Sequence, residues 1–264
     1  MSDVTGRTRV YAIVADPVRH VRTPQVLNAR FAARGHDAIL VPLHVAAADL
    51  ATAFAAFRVM RNLGGVVVTV PHKGSAAALC DALGPSAAAV AAVNVVRRED
   101  DGRLTGENFD GEGFVEGLRR EGLEPRGMTV LLSGAGGAAS AIAFGLARAG
   151  AARLTIANRT QEKARALAAR LRSSFPALDV RAGEADPTGH QLVVNATSLG
   201  MHPADPLPLD AEALTPGMVA AEVVMAPERT AFLREATRRG CRVHLGRYML
   251  EAQSCLLATF LERP

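Results

Sequence analysis

Apolar runs and segments with helical periodicity alternate along the first hundred residues. Branched apolar runs predict buried strands at 10–14, 38–45 and 65–70. Apolar positions at helical spacing predict helices at 24–34, 50–61, 75–83 and 86–91. A short hairpin is predicted for 94–97 and 103–106, around Asp101-Gly102. This order of elements is typical of a mainly parallel α/β sheet covered by helices.

A second alternation begins near residue 127, which places a domain boundary at about 110–113. Its predicted strands are 128–132, 153–158, 180–183, 191–195, 218–224 and 242–245. Its predicted helices are 134–150, which opens with a glycine-rich turn, 161–172, 228–238 and 249–261. The chain is therefore interpreted as a two-domain α/β protein.

The glycine-rich turn has the spacing Gly-x-Gly-x-x-Ala: Gly134, Gly136 and Ala139, with Gly137 and Ala138 between. The first glycine permits a tight turn, the second lets backbone approach a pyrophosphate, and the small third residue allows close packing of helix on strand. The free amides of the following helix N-terminus attract phosphate. Between a strand and a helix, this motif predicts dinucleotide binding.

The end of the next predicted strand selects the cofactor. An NAD site usually carries an acidic residue there, about 20 residues on, for the ribose hydroxyls. This chain instead has Asn158-Arg159-Thr160, with Lys163 a turn later. Because cations suit a 2′-phosphate, NADP is predicted over NAD. An exposed helix charge is the alternative interpretation of Lys163.

Composition narrows the function classes. The 264 residues are 49% hydrophobic and 21% charged, as in globular proteins rather than disordered ones. A net charge of +4 and 4% aromatic residues do not favour a nucleic-acid partner. Three dispersed cysteines and scattered histidines indicate neither a disulfide framework nor a metal site. The sequence contains no signal peptide or membrane-spanning run, so a cytoplasmic protein is expected.

Candidate catalytic chemistry comes from a rare residue type. The chain has 30 lysines and arginines in total, and only two of them, Lys73 and Lys163, are lysines. Lys73 follows a predicted strand, at the sheet edge where α/β proteins bind ligands, and Asp110 precedes the domain boundary. An ammonium and a carboxylate flanking a substrate oxygen would form a proton-transfer pair. The alternative for either residue is a surface ion pair.

Several motifs together resemble the shikimate dehydrogenase family over nearly the whole chain. They are Asp16-Pro17, His20, Thr23-Pro24, Asn28, the segment 68–73, Ala92-Val93-Asn94, the segment 106–110, the glycine turn, Asn158-Arg159-Thr160, the segment 195–201, Met249-Leu250 and Gln253. The resemblance implies a substrate domain at 1–111 plus 247–264 and a Rossmann-type NADP domain at 112–246. A C-terminal helix is expected to return to the first domain.

Site residues follow from the same resemblance. It implies that Lys73 and Asp110 are the catalytic pair. Residues expected to bind a small cyclic hydroxy acid are Val21, Thr23, Thr69, Asn94 and Gln253. Residues expected on the nicotinamide side are Thr197, Ser198, Met201 and Gly246. Shikimate is the default substrate, and a monomer or homodimer is expected.

Departures from the family pattern concern the substrate's carboxylate. Val21-Arg22-Thr23 stands where the family usually has Ser-x-Ser, and Val67, Phe109 and Met225 replace polar or aromatic residues. Each lost charge-assisted hydrogen bond costs about 1.5–3 kcal/mol. Two alternatives therefore stay open: a paralogue acting on quinate, an aminoshikimate-type analogue or another cyclic hydroxy acid, and a non-catalytic NADP-binding protein.

Overall fold

The chain forms two compact units in a computed structural model that describes residues 4–19 and 21–262. One unit extends to Phe109 and resumes at Gln253, and the other comprises Asp110–Ala252. The first division lies two residues before the predicted boundary at 111, and the second lies six residues after the one at 246. The two-domain α/β class that the sequence predicts is confirmed.

The N-terminal unit contains a six-stranded sheet in the order β2-β1-β3-β5-β6-β4. Its strands are β1 (Arg9–Ala15), β2 (Ala38–His44), β3 (Leu63–Val68), β4 (Ala82–Leu83), β5 (Val95–Arg98) and β6 (Leu104–Glu107). Its helices are α1 (Thr23–Ala33), α2 (Leu50–Val59), α3 (Lys73–Ala77) and α4 (Pro85–Val90). Strand β5 is antiparallel to both of its neighbours, and the other pairs are parallel.

Alternating residues of β1 divide the core of this unit between the two sheet faces. Ala12 and Val14 belong to one cluster, which contains Phe54 and Phe57 of α2. Tyr11 and Ile13 belong to the other, which contains Leu27 and Phe31 of α1 together with Leu257 and Leu261. Burial on both faces explains why β1 is apolar throughout rather than alternating with polar residues.

The predicted helix 75–83 is wrong in its second half. Helix α3 ends at Ala77, and Ala82–Leu83 form a strand beside β6. The N–H of Asp81 donates to the carbonyl of Leu104 at 2.8 Å, and the N–H of Gly84 donates to that of Gly106 at 2.8 Å. Helix propensity is a weak preference, and here pairing with an adjacent strand overrides it.

The second unit contains an all-parallel sheet in the order β12-β11-β10-β7-β8-β9. Its strands are β7 (Thr129–Ser133), β8 (Arg153–Ala157), β9 (Asp179–Ala182), β10 (Leu192–Asn195), β11 (Val219–Glu222) and β12 (Arg242–His244). Its helices are α5 (Asp110–Arg120), α6 (Gly137–Arg148), α7 (Gln161–Ser174) and α8 (Ala231–Arg238). The final helix, α9 (Gly246–Leu261), begins in this unit and ends in the first.

Read from β9, the strands have the order 3-2-1-4-5-6 of the Rossmann fold. The order reverses between β7 and β10, so the loops after these two strands diverge and leave a crevice. Ligands of open α/β sheets bind at such a point. Across residues 4–19 and 21–262, no helix combines the length and apolar character needed to span a bilayer.

Candidate functional site

A pocket of about 650 Å³ lies at the carboxyl ends of β7, β8 and β10, where the strand order reverses. Three backbone segments line most of it: 133–136, 157–161 and 196–199. The remaining lining residues are Lys163, Gly183, Glu184, Ala185 and Pro208. The fold thus brings the glycine turn and the Asn158-Arg159-Thr160 segment to one cavity.

The first two glycines of the turn have different constraints. Gly134 has φ +122°, and a Cβ there would meet the carbonyl oxygen of Ala196 at 2.7 Å. Gly136 precedes α6 in extended backbone, and a Cβ there would have nothing within 4 Å. Gly134 is therefore required by the protein itself, whereas the space at Gly136 opens on the pocket.

Alanine at these two positions is expected to fail for different reasons. Gly134→Ala forces a strained backbone and a clash, so we expect a fall in Tm of several degrees. Gly136→Ala should leave Tm near that of the wild type but weaken NADP binding at least tenfold, because the methyl group takes space that phosphate needs. Thermal unfolding and NADPH fluorescence titration measure the two effects. Equal loss of Tm in both variants would contradict this distinction.

Two cationic side chains follow the end of β8. Arg159 and Lys163 are exposed and line the pocket, and Asn158 donates from Nδ2 to the carbonyl of Thr160 at 2.9 Å. No carboxylate follows β8 directly, although Glu184 lines the pocket beyond β9. Open space at Gly136, the amino end of α6 and two cations suit a dinucleotide with an additional ribose phosphate.

The loop after β10 is held by its own hydrogen bonds. Asn195 accepts at Oδ1 from the N–H of Thr197 at 3.1 Å and from its hydroxyl at 2.7 Å. The Thr197 hydroxyl accepts from the N–H of Leu199 at 3.0 Å, and Asn195 Nδ2 donates to the Leu199 carbonyl at 2.9 Å. Asp205 accepts from the N–H groups of His202 and Gly200, and these bonds lower the pKa of Asp205. These hydrogen bonds therefore fix the backbone conformation of 196–199, which forms one wall of the pocket.

Eight of the predicted cofactor residues line the pocket: Gly134, Gly136, Asn158, Arg159, Thr160, Lys163, Thr197 and Ser198. Gly137 and Ala138 begin α6 beside it. Met201, at the end of the loop after β10, is 39% exposed and does not line the pocket. Gly246 is buried, and a Cβ there would meet the carbonyl oxygen of Val224 at 2.5 Å.

Two acidic residues of this unit were not predicted from the sequence. Glu184 lines the pocket, and Glu222 is fully buried at the end of β11, hydrogen-bonded to Asn195. A single carboxylate inside the apolar run 218–224 was the available signal for Glu222, since buried charges are rare unless they have partners.

In the first unit, three predicted site residues lie at one edge of the sheet. Thr69 follows β3, Lys73 begins α3 and Asn94 precedes β5. The N–H of Val93 donates to the Lys73 carbonyl at 2.9 Å, and that of Val68 donates to the Asn94 carbonyl at 2.8 Å. Asn94 Oδ1 accepts the N–H of Phe109 at 3.0 Å. These bonds hold the backbone that carries the candidate Lys73.

Three further predicted substrate and catalytic residues occupy helix ends or a helix interior. Thr23 is buried at the start of α1, and Gln253 is buried within α9. Asp110 begins α5 and is 2% exposed. His20 lies outside the described residues. Within the described chain, no group of three His, Cys, Asp or Glu side chains is arranged to hold a metal ion.

Three departures from the family pattern share one apolar cluster. Val67 is buried within it, and Val21 and Phe109 pack against it. Phe109 also meets the ring of Phe260 edge-on, with 5.7 Å between centroids. These side chains provide apolar surface at positions where the resemblance of the sequence implies hydrogen-bonding groups.

Comparisons with known proteins agree with this architecture. The model of the shikimate dehydrogenase substrate binding domain matches residues 13–96, and that of shikimate / quinate 5-dehydrogenase matches 119–198. A relative named shikimate dehydrogenase (NADP(+)), from Rubrobacter xylanophilus, is 42% identical over 253 residues, which cover 94% of this chain and 88% of the relative.

Two solved structures are similar over almost the whole chain. Shikimate 5-dehydrogenase from Thermus thermophilus, in complex with NADP(H) and shikimate, has a TM-score of 0.86 and 32% identity, covering 96% of this chain and 93% of that one. The 5-ketofructose reductase of a Gluconobacter strain has a TM-score of 0.87 and 33% identity, covering 98% and 94%. Since curated relatives above 40% identity extend over nearly its full length, the chain belongs to the shikimate dehydrogenase family, whose members are oxidoreductases.

Proposed function

We propose that this enzyme interconverts shikimate and 3-dehydroshikimate with NADP as its cofactor. The observation that carries the proposal is the pocket at the reversal of strand order, with Arg159 and Lys163 on its wall. Relatives bearing the name shikimate dehydrogenase (NADP(+)) support the same substrate and cofactor. We propose a cytoplasmic monomer or homodimer without a nucleic-acid partner, as the sequence predicts.

The residues of the second unit suit the cofactor in separate roles. Arg159 and Lys163, with the Thr160 backbone, would hold the 2′-phosphate. The turn at Gly134–Gly136 and the start of α6 would hold the pyrophosphate. Thr197, Ser198, Met201 and Gly246 would form the nicotinamide side. When bound, the cofactor exchanges a hydride with the ring carbon that bears the reacting oxygen.

The residues of the first unit and Asp110 would manage the substrate. In the reductive direction Lys73 would donate a proton to the carbonyl oxygen, and in the oxidative direction it would accept one from the hydroxyl. The Asp110 carboxylate would accept a hydrogen bond from the substrate hydroxyl in the oxidative direction, and it would orient the ammonium in both directions. Side chains that would bind the rest of the ring are Thr23, Thr69, Asn94 and Gln253, with Val21 as an apolar contact.

A second candidate substrate is favoured by the apolar cluster that contains Val67 and is contacted by Val21 and Phe109. Losing two charge-assisted hydrogen bonds to a carboxylate, at about 1.5–3 kcal/mol each, would weaken binding roughly a hundredfold or more. A cyclic polyol without a carboxylate would then be the better substrate of the same machinery, whereas quinate carries a carboxylate as shikimate does and is compared with it directly. The structurally similar 5-ketofructose reductase is itself named for a substrate other than shikimate or quinate.

Initial rates of oxidation test the proposal directly. Shikimate and quinate are each supplied with NADP and with NAD, and reduced cofactor is followed by absorbance. We expect shikimate with NADP to give the highest kcat/KM. If NADP binds but neither acid is oxidised, the proposed substrate is wrong, and the search should extend to cyclic polyols without a carboxylate. If NADP itself fails to bind, the assignment of the pocket is also wrong.

A further inference from the structure

A buried carboxylate lies behind the pocket wall formed by 196–199. Glu222 ends β11 and has no exposed surface. Its Oε1 accepts the N–H groups of Val223 at 2.9 Å and Val224 at 3.0 Å. Its Oε2 accepts the hydroxyl of Thr230 at 2.9 Å, and both oxygens lie 3.0 Å from Asn195 Nδ2. Four protein groups thus donate to one carboxylate that no solvent reaches.

The contact with Asn195 connects Glu222 to the pocket. Asn195 is fully buried. Its side-chain amide accepts hydrogen bonds from the N–H and the hydroxyl of Thr197 and donates one to the carbonyl of Leu199. Thr197 and Leu199 both line the pocket, whereas Asn195 and Glu222 do not. Glu222 is therefore connected to the pocket wall through one intermediate side chain.

Thr230 extends the network to the far end of the same loop. Its hydroxyl caps α8 by accepting the N–H of Leu233 at 3.3 Å while donating to Glu222. A Cβ at Gly200, which has φ +102°, would meet Thr230 Cγ2 at 3.0 Å. The loop is thus bounded at Asn195 and near Gly200 by two direct partners of Glu222.

Both side-chain oxygens of Glu222 accept hydrogen bonds, so this site requires an acceptor at each of the two positions. Burial raises the pKa of Glu222, while the hydrogen bonds from Val224, Asn195, Thr230 and Val223 favour its ionised form. A glutamine of the same shape would carry an NH₂ group toward Asn195 Nδ2 or the backbone amides, so two donors would face each other. An unsatisfied buried donor is costly, and the Asn195 amide would have to turn or move.

Loop position matters because of where β10 stands in the sheet. A Rossmann fold consists of two mononucleotide-binding halves, and the glycine turn after β7 with the end of β8 serves the adenosine half. The loop after β10 begins the other half, which receives the nicotinamide. Misplacement by 1 Å near reacting groups can reduce a rate by about two orders of magnitude.

We propose that Glu222 is a positioning residue: through Asn195 and Thr230 it sets the position of the 196–201 loop against the nicotinamide half of the cofactor. The inference depends on the proposed function, because it assumes a nicotinamide dinucleotide in this pocket. It predicts that loss of the carboxylate impairs turnover while the adenosine end of the site stays intact.

The central experiment compares Glu222→Gln with the wild type on whichever substrate and cofactor the wild-type enzyme turns over. We expect kcat to fall about 10- to 100-fold. The inhibition constant of adenosine 2′,5′-bisphosphate, a probe of the Arg159 end alone, should change less than about threefold. An unchanged kcat, or equal losses in kcat and in affinity for the probe, would overturn the proposal.

A reversed pair tests the route through Asn195. In the double variant Asn195→Asp with Glu222→Gln, the introduced glutamine can donate to the new carboxylate and still accept from Val223 and Val224. We expect the double variant to retain several-fold more kcat than the product of the two single losses predicts. Purely multiplicative losses would show that Glu222 does not act through Asn195.

A matched control on β10 separates an effect on stability from an effect on the position of the loop. Val193 is fully buried in the core and does not line the pocket, so Val193→Ala should lower Tm without lowering kcat below about half of the wild-type value. If Glu222→Gln fails to fold, Thr230→Val and Thr230→Ser replace it. Only Thr230→Val, which lacks the hydroxyl, should have a lower kcat. Equal kcat values in the two variants would overturn the proposal.

If the wild-type enzyme neither binds the probe nor oxidises any substrate, the proposed function has failed, and with it the premise of this inference. If the wild type is active and Glu222→Gln is equally active, only the role of Glu222 is wrong.

Discussion

Replacing Lys73 by alanine is expected to lower kcat for shikimate oxidation by about 10²- to 10⁴-fold, the usual contribution of a positioned proton-transfer group. The backbone carbonyl of Lys73 accepts from Val93 irrespective of the side chain, so α3 should stay in place. Affinity for NADP should stay within about twofold of the wild type, because Lys73 does not line the nucleotide pocket. Stopped-flow or steady-state rates, together with NADPH fluorescence titration, measure the two quantities.

The other lysine of the chain provides the control. Lys163 is exposed and lines the pocket, so Lys163→Ala should raise KM for NADP several-fold and leave kcat nearly unchanged. The two variants thus separate proton transfer from cofactor binding in a protein with only two lysines. Wild-type kcat in Lys73→Ala would refute the proposed catalytic role, and the same loss in both variants would indicate a general effect of removing ammonium groups.

Charge reversal at Arg159 is expected to have the second largest effect. Arg159→Asp removes a guanidinium from the pocket wall and places a carboxylate where the 2′-phosphate is proposed to bind. Loss of one charge-assisted contact at about 1.5–3 kcal/mol corresponds to roughly 10- to 150-fold in affinity, and repulsion adds to it. KM for NADP should therefore rise about 100-fold or more.

The reaction with NAD distinguishes this from a general defect. A carboxylate can accept from the ribose hydroxyls of NAD, as Asp or Glu does in NAD-specific Rossmann folds. KM for NAD in Arg159→Asp should thus be equal to or lower than in the wild type. If both cofactors weaken equally, the residue supports the fold of the β8–α7 turn rather than selecting the phosphate.

The division between local and tertiary information is clear in the first unit. Strand β1 and helix α1 follow from local pattern, since a continuous apolar run and the spacing of Leu27 and Phe31 by one helical turn are visible in a short sequence window. The alanine-rich stretch 75–83 suggests a helix, yet its last two residues, Ala82 and Leu83, pair with β6. That partner lies more than 20 residues along the chain, so no local preference could indicate it.

The same division applies to the candidate site. Gly134, Gly136, Arg159 and Lys163 line one pocket, and the sequence could group them because a glycine-rich turn and the end of the next strand have set spacings in a Rossmann-type unit. The departures Val21, Val67 and Phe109 were visible as changes of polarity, but their association with one apolar cluster depends on the folded sheet. Sequence spacing carried no information about that association.

Glu222 marks the limit of sequence reasoning for this protein. The sequence alone determined the α/β class, the glycine-rich turn and the cationic segment after β8, because each depends on neighbouring residues in a short segment. Only the tertiary structure placed Glu222 beside Asn195 and Thr230, because β10 and β11 come together through sheet pairing across a long connection. A buried carboxylate acquires its role from the donors around it, and those donors are assembled only by folding.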